Sequence, residues 1–500
     1  MTAAMPLTLQ TLRALPEAVA IPTYDRAALA PAVVHMSVGS FHRSHQAMYF
    51  DEIAQRGIST DWGIVGVGLR RRGMREVLAA QDGLYTVLIR GAGPDLARVV
   101  GVIGRYQYAP ESGEAVLATL ADPRTRLVTL TVTGCAYKAD PATGVFAAGD
   151  PEVVADLADP RRPSSAIGYL VEALDRRRRA GHPPFTVLSC DNIPGNGPLA
   201  RRALVGFAEL RDPRLARWID AEGAFPSSMV DRITPKTMAS DVERLARDFG
   251  IRDRWPVITE AYTQWVIEDQ FCNGRPPLDQ VGAQFVTDVR PYAMMKTRLL
   301  NASHCALGYL GSLAGHRRLD EAMGDPLLHD YIARLMDHEI TPLLPPLPGV
   351  DLDDYKSTLR ERFANPKIAD QLARLCRAGS AKMPTHVLSS INESREAGRP
   401  HELLTLAVAA WFRYLRGVDE QGRELDLDDP RGDRLRTLAI LGGTDPRPLL
   451  AERALFGDLG DDPAFVGALG DALELIERRG ARGALAVTIA ADASGRYTRA

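Results

Sequence analysis

The chain has 500 residues, of which 45% are hydrophobic and 25% are charged, and its formal net charge at neutral pH is −3. This composition is typical of a soluble globular protein, and the near balance of charges gives no electrostatic reason to expect nucleic acid or an anionic membrane as a partner. The length exceeds that of one ordinary hydrophobic core, so we expect two domains.

The sequence shows no membrane span, no export segment and no cysteine pattern of a zinc site. No uninterrupted apolar run reaches about 18 residues, the length that a membrane span needs, and the first 16 residues contain no apolar export segment. The five cysteines are widely separated, and no CxxC, HExxH or Cys/His cluster has the spacing of a zinc site. We therefore expect a cytoplasmic protein with reduced thiols and no metal cofactor.

The first strong structural signal is a buried strand at 32–38, which is rich in β-branched residues. Gly39 and a helical stretch to about residue 55 follow it. Strand, glycine turn and helix together form the usual phosphate cradle of a dinucleotide fold. Only one of the three glycines of the GxGxxG pattern is present here, because the positions are Ser37, Gly39 and His42.

Strands and helices then alternate, and this pattern predicts a mostly parallel, doubly wound α/β sheet. The predicted strands are 62–67, 85–90, 99–107, 127–133 and 186–190, with 85–90 and 99–107 forming a hairpin. The predicted helices are 74–81, 111–121 and 166–180.

Polar residues follow the strand at 186–190. In open α/β sheets the ligand lies outside the carboxyl ends of the strands, which places Asn192 to face a site. An asparagine that merely forms a turn explains this position equally well.

From about residue 291 the β-branched runs become scarce, and Leu/Ala/Arg segments at helical spacing dominate. These segments are 296–314, 325–341, 366–378, 401–416, 432–441, 446–456 and 463–478. We predict a Rossmann-like dinucleotide-binding domain over 1–288 and a mostly α-helical domain over 289–500.

The segment 296–311 contains the most informative polar residues. At 100° per residue, His304 lies at about 80° and Asn301 at about 140° from Lys296, beside an apolar stripe. Gly308 and Gly311 leave room for a backbone or a ligand to approach closely. A core helix with a snorkelling lysine and hydrogen-bonded polar residues is the competing interpretation.

Five segments together resemble one family. They are K-T-R-L-L-N-A-S-H from Lys296, V-G-S-F-H-R-S-H-Q from Val38, S-C-D-N-I-P-G-N-G from Ser189, V-D-R-I-T-P from Val230 and R-L-C-R-A-G-S-A-K-M-P from Arg374. In order and content they are similar to the signature segments of the polyol-specific long-chain dehydrogenases, the mannitol 2-dehydrogenase family.

The resemblance implies a metal-independent oxidoreductase that interconverts a polyol and its ketose with NAD. Lys296 is then the general base, which requires that burial and neighbouring cations lower its pKa. Asn192 and Asn301 hold the reacting oxygen and His304 orients it. The resemblance further implies substrate contacts from Asp231, Arg374 and Lys382, and cofactor contacts from Val38, Gly39, Ser40, Phe41 and Arg43.

The sequence departs from the family pattern at three positions. Ser37 replaces the first glycine of the turn, and Ala378 replaces an aspartate between Arg374 and Lys382. Ala293 replaces a glutamate thought to relay the proton of the lysine, so either water or another carboxylate serves here. Two other functions stay open: a fructuronate or tagaturonate reductase of the same family, and a non-catalytic nucleotide or sugar sensor.

The second predicted strand ends in Arg70, Arg71 and Arg72, with no carboxylate before Glu76. An acidic residue at this point usually holds the ribose 2′-hydroxyl of NAD. Arginines can instead bind a 2′-phosphate, so Arg70 is a candidate cofactor residue and NADP a second candidate cofactor. A solvated basic loop is the alternative. The preferred polyol and the oligomeric state stay undetermined.

Overall fold

A computed structural model of the protein describes residues 4–139 and 144–494. The chain forms two compact units, Met1–Arg290 and Pro291–Ala500. No helix in the described ranges combines the length and the hydropathy that a membrane span requires.

The centre of the first unit is a five-stranded sheet in which all strands are parallel. Its strands, in spatial order, are Ile103–Tyr108, Ile64–Gly68, Val33–Met36, Leu127–Leu130 and Thr186–Ser189. The strand that comes first in the chain therefore lies in the middle, and the direction of strand addition reverses between Val33–Met36 and Leu127–Leu130. This reversal is the topological switch point at which open α/β sheets bind ligands.

Both faces of this sheet are buried, which explains why its strands are continuously apolar. Val34 and Met36 belong to a core shared with the helix Ala166–Ala180. Val33, which precedes them and points to the other face, belongs to the core shared with the helix Gln46–Gln55. The sheet is thus doubly wound.

The α-helices of the first unit surround the sheet and the smaller strands. They are Ser40–Ser44, Gln46–Gln55, Gly73–Ala80, Ala109–Ala121, Pro151–Ala158, Ala166–Ala180, Asn196–Arg211, Pro213–Glu222 and Ala239–Phe249, with Arg290–Met295 running across the division of the units.

Among the described residues of this unit, three smaller sheets accompany the parallel one. Their strands, grouped by sheet, are Val257–Glu260, Tyr85–Arg90, Leu96–Val100 and Val19–Ala20; Ser228–Asp231, Gln264–Glu268 and Gln284–Val286; and Met5–Pro6 with Ile251–Arg252. The predicted strand 99–107 is wrong as one element. Its first part pairs antiparallel with Tyr85–Arg90 as expected, but Gly101 and Val102 interrupt it, and Ile103–Tyr108 joins the parallel sheet instead.

The second unit is helical. Its α-helices are Ala302–Leu313, Leu319–Met323, Pro326–Arg334, Leu352–Phe363, Leu372–Cys376, Gly379–Met383, Ser389–Glu396, Glu402–Tyr414, Gly432–Gly442, Arg447–Leu450, Arg453–Phe456 and Pro463–Ala493. Three further segments are π-helical: Lys296–Asn301, Leu335–Ile340 and Pro384–Leu388. The predicted fold class, a doubly wound α/β region followed by a mostly helical region, is confirmed.

One predicted helix of the second unit is wrong, and one observed helix was missed. The segment 366–378 is mostly loop, with a helix only at Leu372–Cys376, and the helix Leu352–Phe363 was not predicted. The latter has few apolar residues, so its hydrophobic periodicity is weak. Its amino-terminal cap is clear, because Asp351 accepts hydrogen bonds from the backbone N–H groups of Asp353 and Asp354.

Candidate active site

The turn after the central strand has the shape that a dinucleotide cradle needs. Ser37 adopts φ +75°, a conformation that favours glycine, so this serine holds the backbone where a glycine is usually needed. A Cβ added to Gly39 would meet only the Ser37 carbonyl oxygen, at 3.9 Å, so open space lies beside this glycine. Ser40 and Phe41 follow it and are partly exposed, whereas Val38 is buried. These residues fit a bound dinucleotide.

Arg43, the last residue of the turn assigned to the cofactor, lies inside the protein. It is fully buried, and its Nη1 donates to the carbonyl oxygen of Trp255 at 2.6 Å. The guanidinium carbon also lies 5.3 Å from the centre of the Tyr85 ring. These contacts hold the guanidinium in the interior, which does not fit the expected contact with a dinucleotide.

The basic loop follows the strand Ile64–Gly68. Arg70 is largely exposed, and its Nη2 lies 2.7 Å from Oε1 of Glu152. Its carbonyl oxygen accepts a hydrogen bond from the Tyr108 hydroxyl at 3.1 Å. An exposed ion pair of this kind contributes about 0–1 kcal/mol and exchanges readily, so Arg70 remains available to another anion.

Asn192 lies at the carboxyl edge of the same sheet, where the sequence placed it. It is exposed, and it follows Asp191 at the end of the strand Thr186–Ser189. Asp231 is buried at the carboxyl end of the strand Ser228–Asp231. Its backbone pairs with Gln264 of the neighbouring antiparallel strand.

Lys296 opens a π-helical segment rather than an α-helical one. In a π-helix the hydrogen bonds join residues five apart, and Ala302 N–H donates to the Thr297 carbonyl oxygen in this way. The expected angle of about 140° between Lys296 and Asn301 is therefore wrong, because the α-helical period does not apply. In a π-helix, residues five apart are separated by about one turn, so Asn301 follows Lys296 by about one turn. Both residues are buried.

Among the buried side-chain atoms of this helix that have no hydrogen-bond partner, two belong to predicted site residues. Neither Nδ2 of Asn301 nor Nε2 of His304 has a hydrogen-bond partner in residues 4–139 and 144–494. Buried polar atoms in native proteins are nearly always paired. A substrate oxygen would satisfy both groups.

Cations surround His304. Its pKa is well below the usual value because its ring is desolvated, and Arg374, Arg362, Lys382 and Lys296 lower it further, in that order. The ring of Phe363 lies 4.6 Å away, centre to centre. His304 is therefore a neutral imidazole at neutral pH, able to accept or donate a hydrogen bond at Nε2.

The helix Leu372–Cys376, which includes Arg374, lies close to the helix Ala302–Leu313 at Gly308 and Gly311. A Cβ at Gly308 would lie 3.1 Å from Sγ of Cys376, and one at Gly311 would lie 2.9 Å from Cδ1 of Leu372. The expectation that these glycines permit a close approach is confirmed, and the neighbour is a second helix.

Both cations of the segment 374–382 are fixed by the protein. Arg374 donates from Nε and Nη2 to the carboxylate of the buried Asp370. Burial alone would lower the pKa of Arg374, but the bonds to Asp370 outweigh it and raise the pKa. Lys382 donates to the Leu375 carbonyl oxygen at 3.2 Å, and burial lowers its pKa. Ala378, between them, adopts φ +50°, so it keeps the backbone in the left-handed region.

Arg362 was not predicted from the sequence. It is buried, and its charge lowers the pKa of His304 more than that of Lys296 or Lys382 does. It lies at the end of the helix Leu352–Phe363, beside the phenylalanine that contacts His304. The aspartate cap at residue 351 is the signal that could have revealed this helix and its last turn.

Metal ligands are not grouped in the described part of the chain: residues 4–139 and 144–494 contain no cluster of three or more His, Cys, Asp or Glu side chains that could hold an ion. The five cysteines there are free thiols.

Comparison with known proteins identifies the family. The sequence model of the mannitol dehydrogenase Rossmann domain matches residues 31–280, and that of the mannitol dehydrogenase C-terminal domain matches residues 288–477. The chain belongs to the mannitol dehydrogenase family. The family prediction made from the five sequence segments is confirmed, and with it the assignment of the chain as a dehydrogenase.

Relatives of known name agree with this mannitol dehydrogenase assignment. The chain is 45% identical to mannitol 2-dehydrogenase of Phaeosphaeria nodorum over 474 residues, which cover 94% of this chain and 83% of the relative. It is 45% identical to mannitol 2-dehydrogenase of Aspergillus terreus over 471 residues, 92% of this chain and 94% of the relative.

Solved structures of the same family have a similar fold. Pseudomonas fluorescens mannitol 2-dehydrogenase, in a ternary complex with NAD and D-mannitol, is 43% identical, with a TM-score of 0.90 over 97% of this chain and 100% of that chain. A D-sorbitol dehydrogenase in substrate-free form is 36% identical, with a TM-score of 0.88 over 96% of this chain and 100% of that chain.

Proposed function

We propose that the protein catalyses the reversible oxidation of a polyol of the mannitol type to its ketose with NAD. The family, the parallel sheet and the open turn at Gly39 support the dinucleotide. The observation that carries the proposal is the pair of buried, unpaired atoms, Asn301 Nδ2 and His304 Nε2, on the helix that begins at Lys296. NAD supplies the hydride acceptor when it is bound.

Proton removal is assigned to Lys296. When an alcohol becomes a carbonyl, the hydroxyl proton must leave, and a positioned side chain accelerates this step by about 10²- to 10⁴-fold. Asn301 and Asn192 are amide donors, and we assign to them the oxygen on which negative charge develops. Such a donor typically contributes about 3 kcal/mol. His304, held neutral by desolvation and by its cationic neighbours, orients the same oxygen.

The remote hydroxyls of the substrate are assigned to Asp231, Arg374 and Lys382. Asp370 fixes the plane of the Arg374 guanidinium through two hydrogen bonds and leaves Nη1 to the substrate. We add Arg362 to this group because its positive charge, like those of Arg374 and Lys382, lowers the pKa of His304. Binding energy from such remote contacts aligns the reacting carbon.

The cofactor is assigned to the first 288 residues and substrate chemistry mainly to residues 289–500. Val38, Gly39, Ser40 and Phe41 form the proposed cradle, whereas Arg43 supports the turn from inside. Arg70 and its neighbours suit the 2′-phosphate of NADP, so we propose that NADP is accepted beside NAD.

A uronate reductase, acting on fructuronate or tagaturonate, is the second candidate. The buried Arg362 favours it, because this residue adds a third cation to Arg374 and Lys382 around His304. A guanidinium can bind a substrate carboxylate through two parallel hydrogen bonds.

One spectrophotometric experiment separates the candidates. The purified protein is incubated with NAD or NADP and with mannitol, arabinitol or glucitol, and in the reverse direction NADH oxidation is followed with fructose or fructuronate. The proposal expects the highest kcat/KM with a neutral polyol and its ketose. A preference for fructuronate would select the second candidate, and no turnover with any pair would refute both.

A further inference from the structure

Asp191 joins the ends of two neighbouring strands at the carboxyl edge of the parallel sheet. Its Oδ1 accepts the backbone N–H of Thr133 at 2.9 Å, and its Oδ2 accepts that of Val132 at 3.2 Å. The Tyr137 hydroxyl donates to Oδ2 at 2.7 Å and lies 2.6 Å from Oγ of Ser189. Asp191 is 8% exposed. A single carboxylate thus fixes the loop that follows the strand Leu127–Leu130.

The backbone of that loop has a strained conformation that surrounding hydrogen bonds must stabilise. Thr133 has φ +71° and ψ +160°, which a β-branched residue rarely adopts. Conformations of this kind persist only where surrounding contacts hold them, and they cluster at ligand sites. The loop follows one of the two strands that border the topological switch point, where a dinucleotide crosses such sheets.

The same residue fixes the peptide that leads to Asn192. The Asp191 carbonyl oxygen accepts Nδ2 of Asn196 at 3.0 Å. That amide also donates to the Ser228 carbonyl oxygen at 2.8 Å, and its Oδ1 accepts the Ser228 N–H at 3.0 Å. Asn192 therefore follows a residue that is held through its side chain and through its carbonyl group.

A purely structural role for Asp191 is the competing explanation. Asp253 is an aspartate with similar hydrogen bonds to which this explanation applies. This buried aspartate also accepts two backbone N–H groups, from Thr86 and Trp255, and one side-chain N–H, from Gln81. Burial raises the pKa of both aspartates. Asp253 precedes the strand Val257–Glu260, which belongs to a different sheet, and these three hydrogen bonds join it to segments other than Asn192 and the Thr133 loop.

We propose that Asp191 is a positioning residue of the dehydrogenase reaction, which holds Asn192 and the Thr133 loop in the geometry that the reacting oxygen and the cofactor require. The inference rests on the proposed function, because it acts through the oxygen-binding role of Asn192. Asn196 and Tyr137 belong to the same network.

The consequence is a specific kinetic pattern. An interaction made mainly in the transition state lowers kcat and kcat/KM together when it is lost, whereas lost ground-state binding raises KM. Asp191→Asn keeps the size of the side chain but replaces one acceptor oxygen by a donor, which faces a backbone N–H. We expect kcat to fall by about 30-fold or more while KM for the polyol changes by less than about 3-fold.

The test compares Asp191→Asn with Asp253→Asn. Both variants lose one acceptor in a buried cluster of N–H groups, so both should have a lower melting temperature. Only Asp191→Asn should lose kcat and show a larger primary deuterium isotope effect with the C2-deuterated polyol. Equal kcat in the two variants would overturn the inference and leave the proposed function intact.

Tyr137→Phe provides a milder variant for the case in which Asp191→Asn does not fold. It removes one donor to Asp191 and leaves both backbone N–H bonds in place, so kcat should fall by about 3- to 10-fold with unchanged KM. Unchanged kcat in this variant would overturn the inference. If the wild-type protein turns over no polyol, the proposed function fails, and the positioning role fails with it.

Discussion

Asn301 follows Lys296 by five residues, about one π-helical turn, and both residues are buried. An α-helical segment would have turned Asn301 away by about 140°. π-helical segments are rare and occur frequently at functional sites. The π-helical hydrogen bonding of residues 296–301 thus places the proposed base and an amide donor about one turn apart.

Asn301→Ala should lower kcat strongly. Removing one hydrogen-bond donor to a developing oxyanion typically costs about 10²- to 10³-fold in kcat. Because Asn301 is assigned to the substrate oxygen, the dissociation constant of NAD should stay within about 3-fold of the wild-type value. Steady-state kinetics and fluorescence titration measure the two quantities. A variant with normal kcat would show that the unpaired Nδ2 is not used.

Arg374→Ala and Lys382→Ala should each raise KM strongly. Hydrogen bonds to charged groups typically contribute about 1.5–3 kcal/mol, which corresponds to roughly 10- to 150-fold in KM. The increase should be smaller for a shorter polyol that does not reach these cations. Arg377→Ala is the matched control, since Arg377 is exposed and pairs with Asp428 in the same region. Equal increases for long and short substrates would indicate a structural role.

Arg70 and Arg71 should determine how well NADP is accepted. Replacing both with Ala should weaken NADP binding by at least about 10-fold, the loss of one charge-assisted contact, and leave NAD affinity nearly unchanged. Arg124→Ala is the control, because Arg124 is exposed and precedes the strand Leu127–Leu130, at the opposite edge of the sheet. A wild-type preference for NAD of a thousandfold or more would refute NADP acceptance.

Glu339 should make the stability of the protein depend on pH. This buried carboxyl group accepts the backbone N–H groups of Leu403 and Leu404, and burial raises its pKa from 4.5 to about 8. Between these values the folded protein binds more protons than the unfolded chain, so the free energy of unfolding falls as pH rises, by at most about 1.4 kcal/mol per pH unit.

Glu339→Gln removes this proton linkage. The melting temperature of the wild type relative to the variant should therefore fall between pH 5 and pH 8. Glu474→Gln, at an exposed position of the helix Pro463–Ala493, controls for the loss of a carboxylate. A difference between wild type and Glu339→Gln that is constant over this range would contradict the buried, protonated state.

Much of the fold could be predicted from the sequence because strand and helix periodicities are local. Strongly apolar strands such as Val33–Met36 were recognisable. The change to apolar residues at helical spacing near residue 291 was recognisable as well. The strand at 99–107 was not divided correctly, because only tertiary pairing shows that Gly101 and Val102 separate strands of two different sheets.

The site was predictable residue by residue only where a segment resembled the family. The π-turn at 296–301 has no sequence periodicity of its own, so the side on which Asn301 lies required the structure. Arg362 was missed because its helix has few apolar residues. The hydrogen bonds of Asp191 were missed because they join loops that follow two separate strands. Such contacts between distant parts of the chain leave no local pattern.

Lys296→Ala tests the central claim most directly. Lys356→Ala is the matched control, since Lys356 is also a buried lysine of the helical unit but pairs with Asp337 and Asp353. The experiment measures kcat for mannitol oxidation at neutral pH and the dissociation constant of NAD for the wild type and both variants. We expect Lys296→Ala to lose about 10²- to 10⁴-fold in kcat with nearly unchanged NAD affinity, and Lys356→Ala to lose stability only. Near-normal turnover by Lys296→Ala would contradict the assignment of Lys296 as the base.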